Sequence, residues 1–525
     1  MNTSLRSFFF CFFLAAGVSA FCLWQLHGAY GFNLADEGFF WYGSQQTAHG
    51  EVPGLDFSAY EPGRYYWAAA VFKALANNSN KSARIASTLF GSLSFGLIVG
   101  FLVTTRKGVG GVKALLTVIF FSATLSVWTF PYYRATDVLA PCFVFILCYQ
   151  LYVNRRLSTS FFAGIGLGIL MFFGRNHALY ALIGIFVILL YLQLQEKQII
   201  KSAKRFMLGI SGMIIGLFPF LLLALGRPHY ILEISRQWLE VLSSGKTNLP
   251  LPWPLPWQTI SAGMSITEAD GHLIIGVMFF CLFAIGLGAS AFCALSAIRG
   301  KGIPPGLAAM TASTAGYLHY ATDRADMEHI GPAFMPVLLG TFLFILQPRQ
   351  RPFLSLVGVF LVLLPTTRVA ARQQSAYHCI RHTIPCEPLQ VDTQTTVNTF
   401  SQTARKAKSL LSIVRNVDFL ALPAYPSLYA MTRKRSPIWD IYAVWPQSIQ
   451  TQQRAIKLIE KRPVSVVILS NHAFGNTSRF DLTNPLIYSF LFKEYRVCGY
   501  TQDSTVLALR KLGGSYCRPI NAVHK

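Results

Sequence analysis

Long apolar stretches, separated by short polar ones, fill most of the first 370 residues. About 17 to 25 apolar residues in a helix cross roughly 30 Å of hydrocarbon, because each residue adds about 1.5 Å. The pattern predicts eleven such helices, at 7–27, 82–105, 112–130, 136–153, 161–174, 177–194, 206–226, 272–298, 306–321, 329–346 and 353–370.

The remaining residues, 371–525, show a different pattern. Their apolar runs are short and separated by polar residues, which is typical of a small α/β domain. The runs predict buried strands at 418–424 and 464–470, a strand pair at 496–510, and helices at 452–461 and 485–492. We therefore expect a membrane domain at 1–370, with long outer loops at 28–81 and 227–271, followed by a soluble α/β domain at 371–525.

Composition supports a polytopic α-helical membrane protein with about eleven spans. Of 525 residues, 53% are hydrophobic and 13% are charged, whereas a soluble chain is about a quarter charged. The net charge of +23 would suggest nucleic acid as a partner in a soluble protein. Here the excess lies in short loops and in the tail, so no nucleic acid partner is expected.

The placement of the charges predicts the orientation. Alternate short loops, taken as cytoplasmic, carry fourteen basic residues and one acid, Glu196, whereas residues 28–81 carry five acids and three bases. Basic loops resist translocation, so we expect the N-terminus inside and the tail outside. The first stretch, with Arg6 and Val18-Ser19-Ala20, also resembles a cleaved signal peptide. Its apolar run continues to Leu26, which favours an uncleaved helix.

Four cysteines lie in the tail, in what the orientation makes an oxidising compartment. An even number of cysteines in such a compartment is typical of disulfides. We expect Cys379 to pair with Cys386, and Cys498 with Cys517.

Charged residues at a membrane boundary are costly and mark candidate sites. The first cluster is Ala35-Asp36-Glu37-Gly38 together with the stretch from Asp56 to Tyr66, and the residues after each motif predict helices at 39–48 and 65–75 lying in the interface. A carboxylate at headgroup level is a candidate general base. Equally, Asp36 is a suitable cap for the helix that follows, with Glu37 in its first turn.

Three smaller clusters lie at the same predicted boundary: Tyr132–Asp137, Arg175-Asn176-His177 and Asp323–His329. Each contains an arginine, a residue that binds carboxylate and phosphate groups. For each cluster alone, a snorkelling arginine or an Asp/Arg pair at a helix end is the better explanation. Together the three clusters favour an anionic ligand.

These motifs resemble those of the GT-C glycosyltransferases that use polyprenyl-phosphate sugars. The shared features are an Asp-Glu pair after the first span, a downstream Asp-Phe-x-x-Tyr-x-Pro-Gly at 56–63 and many spans before an outer domain. Within that class the chain is most similar to the family 39-like enzymes, the protein O-mannosyltransferase and aminoarabinose-transferase type. The segment Asp323–His329 resembles an Arg-x-Asp-x-x-His element of the class. Glu61 departs from the family pattern, which leaves the sugar open.

The resemblance implies an inverting glycosyltransferase with Asp36 as general base and Glu37 beside it. The other site residues that it suggests bind the donor phosphate or the substrate: Asp56, Tyr60, Arg64, Tyr65, Arg134, Asp137, Arg175, Asn176, His177, Arg324, Asp326 and His329. Glu37, Asp137, Asp326 and His329 are also candidates to orient the acceptor, to tune Asp36 or to hold a divalent metal. No other cofactor is expected.

The expected partners are a polyprenyl-phosphate-linked sugar, membrane lipids, and an acceptor that is a glycan, a lipid or a protein. The expected location is the bacterial inner membrane, with the tail in the periplasm. The alternative function is a transporter or flippase, which usually carries charges near the bilayer midplane or internal repeats. A polymer ligase or an inactive relative that assists assembly is a third alternative.

Overall fold

The structure is a computed structural model of the chain. It describes residues 3–105, 111–244, 251–255, 266–347, 352–471, 479–501 and 504–509.

Helices dominate the chain up to residue 380. In chain order they are α1 (Thr3–His27), α2 (Asp36–Ala48), α3 (Pro62–Ala74), α4 (Asn80–Thr104), α5 (Gly111–Val127), α6 (Ala135–Val153), α7 (Leu157–Phe173), α8 (Arg175–Glu196), α9 (Ile199–Gly216), α10 (Phe218–Gly226), α11 (Tyr230–Ser244), α12 (Ile266–Phe283), α13 (Ser290–Ile298), α14 (Pro305–Asp323), α15 (Met327–Ile345), α16 (Pro352–Gln373) and α17 (Ser375–Ile380). A 3₁₀ turn at Tyr132–Arg134 precedes α6, and a π-helical segment at Ala284–Ala289 joins α12 to α13.

The predicted polytopic helical fold is confirmed. Each of the eleven apolar stretches is helical, and eight spans among the described residues are long and apolar enough to cross a membrane. The other three stretches correspond to α5 and α7, which are apolar helices of 17 residues, and to α14, which has 19 residues. The protein is therefore a multi-pass membrane protein.

The chain divides into two compact units. The membrane unit comprises Met1–Leu26, Ser87–Gly226 and Pro250–Tyr377, and the loop unit comprises His27–Ala86, Arg227–Leu249 and His378–Lys525. The loop unit thus joins the first long loop to the tail, whereas the sequence-based division placed a boundary at residue 370. That division by chain order stays a prediction about domain organisation.

Close helix packing in the membrane unit depends on glycine. On α7 and α9, a Cβ at Gly164 would lie 2.0 Å from the Gly209 carbonyl oxygen, and a Cβ at Gly212 would lie 2.0 Å from the Phe161 carbonyl oxygen. Small residues spaced by four let helix backbones approach closely in lipid, where van der Waals packing drives association. The α7–α9 pair therefore holds together through backbone contact.

The tail within the loop unit forms two sheets. Its elements are β1 (Cys386–Gln390), β2 (Thr396–Phe400), α18 (Ser401–Val414), β3 (Phe419–Leu422), α19 (Pro426–Thr432), α20 (Ile449–Lys461), β4 (Val466–Leu469), α21 (Phe480–Thr483), α22 (Pro485–Glu494), β5 (Tyr495–Tyr500) and β6 (Thr505–Leu509). The hairpin β1–β2 is antiparallel, and the larger sheet has the order β3-β4-β6-β5, with β3 and β4 parallel. The strand-containing C-terminal region that the sequence predicts is confirmed.

One of the two predicted disulfides lies in the described residues. Cys379 and Cys386 form a disulfide in the loop unit, as predicted. Cys517 lies outside the described residues, so its pairing with Cys498 stays a prediction.

Candidate active site

Two adjacent carboxylates open helix α2, and the structure gives them different surroundings. Asn33 starts the helix, because its side-chain oxygen accepts hydrogen bonds from the backbone nitrogens of Ala35 (2.8 Å) and Asp36 (3.0 Å). The side chain of Glu37 then points into the loop unit and is 2% exposed, whereas Asp36 is half-buried.

Glu37 belongs to a buried ion pair. Its Oε1 accepts hydrogen bonds from Arg84 Nη2 and Asn80 Nδ2, both at 2.8 Å, and its Oε2 accepts one from the Asn33 backbone at 3.1 Å. A buried charge is tolerated only when it is paired and hydrogen-bonded. Glu37 therefore holds the start of α2 in place.

Arg84 connects that carboxylate to the chain after the first span. It donates to the carbonyl oxygens of His27, Tyr30 and Gly31 at 2.5–2.9 Å, and its Nε donates to Asn80 Oδ1 at 2.8 Å. Its planar guanidinium presents five N–H donors in a fixed geometry. All three of its nitrogens donate hydrogen bonds here. Arg84 thus fixes the segment that leads from α1 to Asp36.

Asp36 carries its hydrogen bond on the open side of α2. Its Oδ1 accepts from the Tyr442 hydroxyl at 2.7 Å, across 406 positions of sequence. Among the described residues, no other side chain forms a hydrogen bond or ion pair with its carboxylate. Asp36 is therefore oriented by one donor and keeps an acceptor oxygen for a ligand.

Gly38 lets α2 approach the tail directly. A Cβ at this position would lie 2.2 Å from the backbone nitrogen and 2.5 Å from the Cβ of Ser427, which belongs to α19. The Ser427 nitrogen also donates to the Leu34 carbonyl oxygen at 3.3 Å. Any side chain at Gly38 would separate α2 from α19 and move Asp36 away from Tyr442.

The Tyr442 ring, whose hydroxyl binds Asp36, packs in a row of aromatic side chains, here called the aromatic wall. The Phe39 ring lies 5.0 Å from Tyr60 and 5.3 Å from Tyr442, and Tyr442 lies 5.7 Å from Trp445. Such rings pack against apolar faces of ligands while their polar groups form hydrogen bonds. The site combines an oriented carboxylate with an aromatic wall.

The predicted residues of the Asp56–Tyr66 stretch fall around that wall. Arg64 is buried, with its guanidinium carbon 5.1 Å from the Tyr60 ring centre and Nη2 3.9 Å from Glu61. Tyr65 is buried and its hydroxyl accepts from the Tyr60 nitrogen at 3.2 Å; burial raises the pKa of Tyr65. Asp56 is exposed, and its Oδ2 accepts from the Val52 nitrogen at 2.7 Å, which is a turn contact.

The membrane unit contains a second polar cluster, centred on Arg134. Its Nη1 donates to Glu328 Oε2 at 2.8 Å, its Nη2 donates to the Tyr320 hydroxyl at 2.9 Å, and its Nε donates to Asp137 Oδ2 at 3.3 Å. Two carboxylates thus balance the charge of this arginine.

The cluster continues on either side of Arg134. Asp137 Oδ1 accepts from Nε2 of the buried His177 at 3.2 Å, and Nδ1 of His177 lies 3.0 Å from the Tyr317 hydroxyl. On the other side, Nε2 of His329 lies 3.4 Å from Arg134 Nη2. The predicted residues Arg134, Asp137, His177 and His329 therefore form one network.

Asp326 and Arg324 complete this network at the start of α15. Asp326 caps the helix by accepting from the His329 backbone nitrogen at 3.1 Å, and its Oδ1 lies 2.6 Å from His329 Nδ1. The Arg324 Nε donates to Asp326 Oδ2. Burial alone would raise the pKa of Asp326, but the hydrogen bonds and charges of His329 and Arg324 outweigh burial and lower it.

Two predicted residues lie at the start of α8. Arg175 is its first residue and is half-buried, and Asn176 is exposed. Their proposed binding roles stay predictions.

The clusters do not fit a metal ion. Among the described residues, no group of three or more His, Cys, Asp and Glu side chains is arranged to hold one. In the membrane unit, Arg134 and Arg324 supply positive charge where a cation would need open carboxylates. No catalytic step is therefore assigned to a metal, and metal dependence stays a prediction.

Sequence reasoning missed Arg84, Asn80 and Tyr442. Arg84 carried a usable signal, because it is a charge inside the predicted span 82–105 and such charges are costly. Tyr442 lies in an aromatic run of the tail, Trp439 to Trp445, whose meaning depends on the fold.

Two comparisons with known proteins gave nothing: no family model matches the chain, and no curated protein matches it. Solved structures do match. ArnT from Cupriavidus metallidurans bound to undecaprenyl phosphate aligns with a TM-score of 0.41 and 12% identity, over 95% of this chain and 98% of that one.

The oligosaccharyltransferase of Archaeoglobus fulgidus matches in two forms. The apo form aligns with a TM-score of 0.42 and 12% identity, over 89% of this chain and 69% of that one. The form tethered by a disulfide to an acceptor peptide with the NVT sequon aligns with a TM-score of 0.42 and 12% identity, over 93% and 72%. At these values the likeness assigns no substrate and no residue role, so function is argued from the side chains.

Proposed function

We propose that the protein is a membrane glycosyltransferase that moves a sugar from a polyprenyl-phosphate donor to an acceptor hydroxyl, with inversion and with Asp36 as general base. The observation that carries this proposal is the difference between the two adjacent carboxylates. The Glu37 carboxylate is bound by Arg84 and Asn80. Asp36 is half-buried, and its carboxylate is oriented by Tyr442 and open to a ligand.

This arrangement gives each carboxylate a role. A general base must lie within hydrogen-bond reach of the proton that it removes. Of the pair, only Asp36 keeps a carboxylate oxygen that no described residue binds. Glu37 is a positioning residue, because its contacts are all with the protein. The sequence analysis named Glu37 as a catalytic residue beside Asp36. Our proposal gives it a positioning role instead.

The proposed step is a single displacement. Asp36 takes the proton of the acceptor hydroxyl as that oxygen forms a bond to the anomeric carbon. The bond from the anomeric carbon to the phosphate oxygen breaks, and polyprenyl phosphate leaves with the electron pair. Because the nucleophile attacks opposite the leaving group, the anomeric configuration inverts.

A cation near the leaving phosphate would stabilise the charge that develops on it. Arg64, which lies in the loop unit with Asp36, is the arginine that we assign to this task. Arg134 is less suited, since Glu328 and Asp137 already balance its charge.

We further propose that the acceptor is a cell-envelope molecule and that transfer takes place on the outer face of the bacterial inner membrane. The support is the charge asymmetry of the loops, together with a disulfide in the loop unit, since disulfides form in oxidising compartments. The N-terminus is then cytoplasmic.

The test is binding of undecaprenyl phosphate to the detergent-purified protein, measured by native mass spectrometry. The wild-type protein should bind it and should co-purify with a glycosylated polyprenyl phosphate that names the sugar. Arg64→Met should weaken binding at least tenfold, because it removes the charge and keeps much of the side-chain volume.

The matched control is Arg462→Met, which removes an exposed arginine of the loop unit and should leave binding unchanged. Unfolding temperatures of both variants separate a lost contact from a lost fold. Failure of the wild-type protein to bind, or equal binding by Arg64→Met, would count against a lipid-linked donor.

A further inference from the structure

The segment from Trp439 to Gln447, here called the 439–447 loop, lies beside Asp36 and at one end of a parallel strand pair. The Ala443 nitrogen donates to the Pro423 carbonyl oxygen at 2.9 Å, and Pro423 directly follows β3. Strands β3 and β4 are parallel in this sheet. In α/β sheets, ligands bind outside the carboxyl ends of parallel strands, which is where this loop lies.

The loop is held by backbone contacts at two points. Asn484 Nδ2 donates to the Ala443 carbonyl oxygen at 3.1 Å, and Gln452 Nε2 donates to the Gln447 carbonyl oxygen at 2.9 Å. A recognition element works best when its supporting contacts are preorganised. The side chains between these points are therefore presented from a fixed backbone.

Two aromatic rings of the loop pack beside the general base. The Tyr442 hydroxyl binds Asp36, and the Trp445 ring lies 5.7 Å from the Tyr442 ring. Tyr442 therefore links Asp36 to Trp445 through two consecutive contacts.

The loop also contains buried polar atoms that lack a partner. Within the part of the chain that the structure describes, neither Trp445 Nε1 nor Gln447 Oε1 has a hydrogen-bond partner. Gln447 is 9% exposed, and its Nε2 donates to Asp440 Oδ2. Buried donors and acceptors are normally satisfied, so these two atoms indicate a ligand that supplies both an acceptor and a donor.

We propose that the 439–447 loop is the acceptor subsite and that the acceptor is a carbohydrate. This inference rests on the proposed function, in which Asp36 takes the proton of the acceptor hydroxyl. A pyranose has an apolar C–H face that packs on an aromatic ring. Its hydroxyls accept from Trp445 Nε1 and donate to Gln447 Oε1.

Other acceptor classes fit these groups less well. A lipid acyl chain has neither a donor nor an acceptor for the two orphaned atoms. A phosphate group would accept from Trp445 but has no proton for Gln447, and Asp440 would repel it. A serine or threonine side chain has one hydroxyl, which Asp36 already requires.

The test measures sugar binding without requiring transfer. Saturation-transfer NMR on the full-length, detergent-solubilised protein would use the methyl glycosides of glucose, galactose, mannose and N-acetylglucosamine as probes. At least one should receive saturation from the wild-type protein, and Trp445→Ala should reduce the effect at least fivefold. Trp445→Phe keeps a stacking ring and should retain part of the effect.

Two matched variants complete the design. Tyr500→Ala removes an aromatic ring of the loop unit that is 62% exposed, and it should leave the effect unchanged. Asp36→Asn should also keep sugar binding, because the subsite does not need the base. If sugars bind through Trp445 but no variant or wild-type protein transfers a sugar, the subsite stands and the proposed function fails.

The inference is overturned if no glycoside receives saturation from the wild-type protein, or if Trp445→Ala and Tyr500→Ala reduce the effect equally. It is also overturned if a serine- and threonine-containing peptide displaces the glycosides in a Trp445-dependent way. Unfolding temperatures, together with Trp445→Phe, show whether Trp445→Ala has kept its fold.

Discussion

The Arg84–Glu37 ion pair makes a quantitative prediction about stability. The side chains are 1% and 2% exposed, and their atoms are 2.8 Å apart. Replacing Arg84 by Met leaves the Glu37 carboxylate buried without its charge partner. Removal of one partner from a buried pair costs about 3–5 kcal/mol. We expect the upper part of that range, because Arg84 also donates to the carbonyl oxygens of His27, Tyr30 and Gly31.

The assay is urea unfolding of the detergent-solubilised protein, followed by tryptophan fluorescence. The double variant Arg84→Met/Glu37→Gln should recover at least about 1 kcal/mol relative to the sum of the single changes, since it also removes the stranded charge. Lys408→Met is the matched control, because it breaks an exposed pair with Glu387 at 3.6 Å. That change should cost less than about 1 kcal/mol.

The reasoning is refuted if Arg84→Met unfolds at the same urea concentration as Lys408→Met. It is also refuted if the double variant is less stable than the sum of the single changes predicts, since the charges would then not be coupled. Either result would mean that Glu37 is not the residue that fixes the start of α2.

Three further predictions concern the surroundings of Asp36. Gly38→Ala should destabilise the loop unit by about 1–3 kcal/mol through overpacking against Ser427, whereas Gly17→Ala, with no atom within 4 Å, should have no such effect on urea unfolding. Tyr442→Phe should lower kcat about tenfold with KM nearly unchanged, the rate equivalent of about 1.4 kcal/mol; an unchanged kcat would remove Tyr442 from its orienting role. Burial raises the pKa of Glu51, with a smaller upward contribution from the Asp56 charge, and together they outweigh the lowering by Arg435 and His49. This shift therefore stabilises the folded protein at a pH below the pKa that Glu51 has in the unfolded chain. The stabilisation is lost as the pH rises through the pKa that Glu51 has in the folded protein. The stability of the wild-type protein relative to Glu51→Gln should fall as the pH rises above the ordinary glutamate pKa of 4.5, and a rise would contradict the assignment.

The helical framework could be predicted because span length and apolar composition are local properties. The first long loop was predictable for the same reason: the stretches 39–48 and 65–75 were expected to be helical, and the structure has α2 and α3 there. Asp36 stood out because it opens a helix directly after a span.

The contacts that define the site could not be predicted, because they join distant parts of the chain. Tyr442 reaches Asp36 across 406 positions, and no local pattern identifies that partner. The role of Gly38 depends on the approach of α19, which is a tertiary contact. Arg84 lies inside a predicted span, but only the fold shows that Glu37 is its partner.

The hairpin β1–β2 and helix α18 were also missed in the tail. Strand β1 has the sequence Cys-Glu-Pro-Leu-Gln, in which Pro and polar residues lower the strand signal. A distant segment of the chain pairs with the hairpin. The Gly31 nitrogen donates to the Asn398 carbonyl oxygen, and the Asn398 nitrogen donates to the Ala29 carbonyl oxygen, both at 2.8 Å. Such pairing with a distant segment stabilises a strand that its own sequence does not favour.

The central claim is that Asp36 is the general base of sugar transfer. The most direct test is the rate at which the purified protein releases undecaprenyl phosphate from its co-purified glycosylated lipid when acceptor is added. Asp36→Asn should lower that rate about 10²- to 10⁴-fold, the usual contribution of a general base, while the protein inserts and unfolds normally. Asp481→Asn, the same change at a carboxylate paired with Arg479, should keep the wild-type rate. Full transfer activity in a normally inserted Asp36→Asn protein would contradict the account.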